Sequence, residues 1–240
     1  MAKDSTLPPA AFDPPQVDEG LDLPIRHEEL VVYTQPLSAP AEQYRRLRSS
    51  LVALNPDGAP RTILVTSAVE GEGKTVATLN LGLALAERPR SRILVVDADL
   101  RRPGVEHYLG LPRRQGLSEV LDGQLGLDQA IRRTAARGLD VIAAGGSPDR
   151  PRALNVDRMR SLLHQWKQRY DYVLIDSPPA YVLTDPSVLG AATDGILMVV
   201  RLGTTERHLV EETQRLLETT GGNVLGVCVL GAPEPRGGAS

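Results

Sequence analysis

At 240 residues, with 27 Lys and Arg against 30 Asp and Glu, the chain carries a formal net charge of -3 and no basic excess that would seek nucleic acid or an anionic membrane. Its longest apolar runs, such as residues 196–200, are strand-length and far short of a bilayer span, and the N-terminus lacks an apolar signal core, so neither a transmembrane segment nor export is expected. Aromatic residues make up 3 %, which leaves Leu, Val, Ile and Ala to build the core, and the one cysteine, Cys228, reads as a small buried hydrophobe in a reducing cytoplasm.

Residues 1–40 contain Pro8, Pro9, Pro14, Pro15, Pro24, Pro36 and Pro40 among scattered acids. That is too little apolar surface to fold, and it predicts a disordered leader in which Leu30, Val31, Val32 and Tyr33 are the residues able to dock on a domain. A nucleotide-binding domain is expected over 41–230. It opens with a helix at 41–54, where Glu42, Arg45 and Arg48 fall along one face at i, i+3 and i+6. Spacing alone makes that face solvated, with local ion pairs.

The next element carries the most information. A β-branched strand at 62–66 runs into a glycine-rich turn closed by Gly73-Lys74-Thr75, and a helix-forming run follows. Strand, loop and helix in this order form a cradle for nucleotide phosphates. Gly71 and Gly73 let backbone N–H groups turn inward, Lys74 reaches the β- and γ-phosphates, Thr75 offers a hydroxyl to Mg²⁺, and the helix N-terminus adds partial positive charge. Gly71, Glu72, Gly73, Lys74 and Thr75 are the expected backbone donors. The strict pattern asks for a glycine where this chain has Ala68. An ordinary glycine turn is the competing reading, and Gly-Lys-Thr between a buried strand and a helix argues against it. Binding of ATP or GTP is expected.

Further strands are predicted near 93–96, 139–143, 172–175, 195–200 and 224–230, with helical patterns between them. Such alternation implies an α/β fold: a mostly parallel twisted sheet with helices on both faces. The strand at 93–96 delivers Asp97 and Asp99 at its carboxyl end, and the strand at 172–175 delivers Asp176. Ligands in open α/β sheets sit outside the carboxyl ends of strands, so these carboxylates are placed to surround Mg²⁺, some of them through water. Residues 231–240 are rich in Gly and Pro and predict a flexible tail without tyrosine. His27, His107, His164 and His208 lack metal-ligand spacing, and no zinc site is expected.

The loop from Thr66 to Thr75 resembles the Walker A motif of the bacterial tyrosine kinases (BY-kinases) of capsule and exopolysaccharide export. Asp97 to Pro103 resembles their Walker A′ motif, and Asp176-Ser177-Pro178-Pro179 their Walker B motif. The stretches 116–123, 183–185 and 194–204 also look like the family's, so the similarity runs from about Tyr44 to Leu230. This resemblance implies a P-loop relative of the MinD/ParA ATPases that binds ATP and Mg²⁺ and transfers phosphate to tyrosine. It implies Lys74 on the phosphates, and Thr75 and Asp176 on the metal. Asp97 would be a metal-linked carboxylate that orients or deprotonates the acceptor, with Asp99 in the same cluster and Ser67 and Arg101 as secondary candidates. Glu42, Arg45 and Arg48 match the segment through which subunits of the family associate into a ring. Members without a membrane segment depend on the cytosolic tail of a membrane polysaccharide co-polymerase, which implies recruitment from the cytoplasm to the membrane's inner face.

Two departures bear on the activity. The family's tail tyrosines are missing. Of Tyr33, Tyr44, Tyr108, Tyr170, Tyr172 and Tyr181, only Tyr33 is expected in a flexible segment, whereas Tyr44, Tyr170, Tyr172 and Tyr181 are expected to be poor acceptors. The family's adenine-contacting asparagine at the end of the last strand is also missing, because the chain reads Cys228-Val229-Leu230-Gly231 there. Three functions stay open: a tyrosine kinase acting on a partner or a non-tail tyrosine, an ATP-driven assembly regulator of polysaccharide export, and a partition-type ATPase. The last is disfavoured because Val69 occupies the position of that group's signature lysine and cannot supply its charge in trans.

Overall fold

A computed structural model describes residues 25, 27–59, 61–146 and 156–231 of the chain. Seven strands form one sheet in the order β3-β4-β2-β5-β1-β6-β7. They are β1 (Arg61–Ser67), β2 (Ile93–Asp97), β3 (Arg132–Arg133), β4 (Leu139–Ile142), β5 (Tyr172–Asp176), β6 (Gly195–Arg201) and β7 (Val224–Leu230). All neighbouring pairs are parallel except β3 with β4. The predicted α/β architecture is the one observed. The two-residue β3 was not predicted, being too short to leave a periodic signal.

Alternate residues along each strand enter two different cores, as the period of a pleated strand requires. On one face Ile63, Val65, Val95, Leu174 and Leu197 pack beneath α1 (Val31–Thr34), α2 (Ala39–Ala53) and α3 (Lys74–Ala86). Three short helices follow β2: α4 (Val105–Leu109), α5 (Leu117–Asp122) and α6 (Leu127–Ala130). On the other face, Leu64, Val96, Val173, Ile175 and Met198 meet α7 (Val156–Lys167), α8 (Asp185–Gly190) and α9 (Arg207–Thr219). Apolar residues on both faces explain why these strands read as unbroken hydrophobic runs. Helix α3 is buried on almost every side, between the sheet and the α1–α2 layer.

Described residues within the stretch expected to be a disordered leader are structured, and they include Leu30 to Tyr33, the part expected to be able to dock. Leu30 and Val32 are buried in the first core. The backbone N–H of Val32 donates to Asn80 Oδ1 at 3.1 Å, and Asn80 Nδ2 donates to the Glu29 carbonyl at 2.8 Å, so a buried amide on α3 is satisfied by this segment. Ser38 then caps α2 by accepting from the N–H of Ala41, with proline in the first turn, so the helix begins before 41. Residues 1–24, 26 and 232–240 lie outside the described residues, as do parts of the leader and tail expectations with them.

Arg45 and Arg48 both turn toward Glu87 at the C-cap of α3, at 2.7 and 2.9 Å, and Arg48 also donates to the Ala84 carbonyl at 2.9 Å. Glu42 is exposed and lies 3.6 Å from Arg45. Within one subunit the two arginines therefore tie α2 to α3, where the spacing alone pointed to ion pairs local to α2. Cys228 is half-buried, and burial pushes its thiol up to about 11, which keeps it inert. Among the described residues, no helix is long and apolar enough to cross a membrane.

Candidate active site

Strand order builds the site. Strand β5 lies between β1 and β2, so Asp176 at its carboxyl end pairs in register with Val65 on one side and Asp97 on the other. The P-loop leaving β1 and the Walker A′ loop leaving β2 thus flank one buried carboxylate. Lys74, Asp97 and Asp176 are all buried. Thr75 Oγ1 donates to Asp176 Oδ2 at 2.6 Å, which joins the loop to the sheet.

Asp97 accepts from the N–H of Asp99 at 3.2 Å through Oδ1, and from those of Gly104 and Val105 at 3.0 and 3.1 Å through Oδ2. These three bonds shape the Walker A′ turn and leave roughly one of the carboxylate's four lone-pair positions for a ligand. Burial, and then the neighbouring Asp176, raise the Asp97 carboxyl well above the usual carboxylate range. Burial likewise pushes Asp176 up to about 7, against the opposing pull of the Thr75 hydroxyl and the Lys74 ammonium. Asp176 Oδ1 is buried and has no hydrogen-bond partner among the described residues. Paired carboxyls that resist ionisation, one with an orphaned oxygen and a hydroxyl beside it, fit a hard divalent cation. Among the described residues no group of three or more His, Cys, Asp or Glu side chains forms a metal cage. Thr75, Asp176 and Asp97 are the residues that would hold Mg²⁺.

The secondary candidates separate. Asp99 caps the N–H of Arg102 at 3.0 Å and lies close enough to Asp97 and Asp176 to raise both. Ser67 Oγ is spent on the Val69 carbonyl at 2.6 Å, which makes it a brace of the loop. Arg101 is exposed, and its neighbour Arg102 pairs with Glu70 of the P-loop.

Two features of the loop were not legible in the sequence. Gly73 has φ 84°, and a Cβ there would stand 2.8 Å from Leu230 Cδ1 and 3.3 Å from Arg201 Nη2, so the ends of β6 and β7 close over the outside of the P-loop. Glu72, expected only as a backbone donor, is a buried latch. Its carboxylate accepts from the N–H of Val69 at 3.0 Å, from the N–H of Arg201 at 3.3 Å and from the hydroxyl of Thr205. The contacts to Arg201 and Thr205 span some 130 residues of sequence, which no local pattern reveals. Replacing Glu72 with Ala leaves three donors without their acceptor, at a cost of about 1–3 kcal/mol each where they stay dry. The expected result is a roughly tenfold rise in the Kd for Mg-ATP by calorimetry, with Glu72→Gln intermediate. Unchanged affinity in Glu72→Ala would reduce the latch to a fold contact.

A family model described as an AAA domain matches residues 60–220. Tyrosine-protein kinase YwqD of Bacillus subtilis is 31 % identical over 203 residues, covering 84 % of this chain and 85 % of its own length. This chain belongs to the bacterial tyrosine-protein kinase family. Tyrosine-protein kinase etk of Escherichia coli K12 is 32 % identical to this kinase over 82 % of the chain, which spans 27 % of that relative's length. The solved kinase domain of the Escherichia coli tyrosine kinase ETK superposes with a TM-score of 0.78 at 29 % identity, over 88 % of this chain and 84 % of that one. MinD of Pyrococcus horikoshii, solved with Mg-ADP, is 24 % identical with a TM-score of 0.62 over 73 % of this chain and 72 % of that one, and shares the fold alone. The resemblance drawn from the motifs therefore holds.

Proposed function

We propose that this chain is an ATP-dependent protein-tyrosine kinase that regulates the length and export of a capsule or exopolysaccharide. The observation that carries the reading is the junction of Thr75 and Asp176 at 2.6 Å, with Asp97 in register beside it, in a member of this kinase family. Phosphoryl transfer asks for alignment and for charge stabilisation on the equatorial oxygens, and little covalent work by the protein. Lys74 and the backbone N–H groups of residues 71–75 hold the phosphates of ATP. Thr75 and Asp176 would hold Mg²⁺, which would supply neutralisation of the charge developing on the phosphates. Asp97, with Asp99 nearby, orients the acceptor hydroxyl or takes its proton. A phenol of pKa about 10 needs such help at neutral pH.

Partners follow the same reading. A membrane co-polymerase tail activates the chain and draws it from the cytoplasm to the membrane. Subunits form a ring through Glu42, Arg45 and Arg48, without nucleic acid. Since Arg45 and Arg48 are already held by Glu87, a neighbour's Glu42 would share them, and Glu42 is the exposed member of the set. Reversing it (Glu42→Arg) is expected to reduce the oligomer to monomers with the fold intact, as read by light scattering. An unchanged mass distribution would return α2 to a purely intramolecular role.

A second reading, an assembly regulator whose nucleotide state is the output, is favoured by the burial of Tyr44, Tyr170 and Tyr172. Phosphotyrosine blotting alongside ADP release separates the two. The kinase reading expects phosphotyrosine on a protein substrate, and steady ADP release with no phosphotyrosine would favour the regulator.

A further inference from the structure

The accessibility of the tyrosines departs from the sequence expectation at one position. Tyr44, Tyr170 and Tyr172 are 8 %, 4 % and 5 % exposed, as their apolar surroundings suggested. Tyr181 is 46 % exposed, more than Tyr33 at 37 %. It lies five residues beyond Asp176, where the chain turns between β5 and α8, and its neighbour Val182 is exposed as well. The backbone on its N-terminal side is fixed. Ala180 N–H donates to the Ser67 carbonyl at 2.8 Å, and Thr66 Oγ1 donates to the Pro178 carbonyl at 2.9 Å. These bonds tether the start of the turn to the end of β1, at the base of the P-loop. On the C-terminal side Ser187 N–H donates to the Thr184 carbonyl at 3.1 Å as α8 begins. The backbone leading to the exposed phenol is thus anchored beside the base of the P-loop, while Asp97 and Asp176 lie buried. Glu212 of α9 lies beside the hydroxyl and raises the phenol's pKa.

We propose that Tyr181 is a phosphate acceptor, presented from the rim of one subunit's nucleotide site to ATP bound in a second copy of the chain. This rests on the kinase reading above and names a substrate for it. A tail tyrosine reaches a neighbouring site because its segment is flexible, and Tyr181 reaches it because it already stands outside the packed core. In the step, the Tyr181 phenolic oxygen of one copy bonds to the γ-phosphorus of the ATP held by the other. The bond from that phosphorus to the β,γ-bridging oxygen breaks, ADP leaves with the electron pair, and the phenolic proton passes to Asp97 of the copy that holds the ATP, in the role assigned to it above. The product sets a phosphate of charge near -2 beside Glu212, so like charges drive the 180–184 turn away from α9. Because the turn begins at the Walker B strand, modification of Tyr181 reports on and perturbs the site it borders.

The test uses the full-length protein with Mg-ATP and two variants mixed in equal amounts. Lys74→Met serves as a donor-dead acceptor, and Tyr181→Phe serves as a donor that lacks the acceptor. A synthetic tyrosine peptide is added as an independent substrate, and phosphosites are mapped by mass spectrometry. The expected result is phosphate on Tyr181 of the Lys74→Met copy, loss of label in Tyr181→Phe incubated alone, and peptide phosphorylation by Tyr181→Phe equal to wild type. Phosphorylated peptide with Tyr181 unmodified, or chain label confined to Tyr33, overturns the inference and leaves the kinase reading standing. No phosphate on peptide or chain overturns both.

Discussion

Replacing Lys74 with Met is expected to raise the Kd for Mg-ATP by about 10²–10³, equivalent to the roughly 2.7–4 kcal/mol that a buried, preorganised donor contributes to a phosphate or oxyanion. The side chain is buried at the start of α3, next to the glycine whose conformation aims the loop, so water cannot replace its charge. Calorimetry on folded Lys74→Met protein checks this. Affinity equal to wild type would remove the P-loop from the account.

The Asp176→Asn variant is expected to move stability and activity in opposite directions. Burial raises the folded pKa of Asp176 to about 7, above the ordinary carboxylate value near 4 that an unfolded chain shows. A raised folded pKa means that this group's contribution to stability is fully present below pH about 4 and is lost as the pH climbs to about 7. At pH 8 the nucleotide-free protein therefore holds a buried charge that asparagine would not carry. Asparagine can still accept from the Thr75 hydroxyl through Oδ1. The expected outcome is a higher Tm for nucleotide-free Asp176→Asn at pH 8, a difference that shrinks toward pH 4, together with a fall of about 10²-fold or more in Mg²⁺-dependent phosphoryl transfer. Scanning calorimetry at both pH values and a transfer assay across Mg²⁺ concentrations provide the readouts. A lower Tm at pH 8 would show that Asp176 is held as a satisfied ion and would contradict its role as a waiting metal ligand.

Much of this site was legible before any coordinates, for a physical reason. Strands buried on both faces read as unbroken runs of Val, Ile and Leu, so the polar residues that end them stand out. Asp97 and Asp176 are such residues, and the order of the strands then brings them into register. The Gly-Lys-Thr turn was equally visible because its chemistry is local. Long-range contacts were not visible. Glu72 finds Arg201 and Thr205 near the end of β6, and Arg45 and Arg48 find Glu87 some 40 residues on. Leu30 and Val32 gave a weak signal of docking in a proline-rich stretch, and only the buried Asn80 of α3 explains why the chain holds there. Tyr181 sits in an apolar segment between Ala180 and Val182, which reads as packed, yet the turn after β5 carries it outward.

The proposed kinase activity depends on one transfer, from Mg-ATP in this P-loop to a tyrosine hydroxyl. The direct measurement follows the γ-phosphoryl of labelled Mg-ATP into phosphotyrosine in a single turnover, with wild-type protein and Lys74→Met side by side. Transfer by wild type, absent without Mg²⁺ and absent in Lys74→Met, is the predicted result. Release of the label as free phosphate, with no phosphotyrosine formed under any condition, would contradict it.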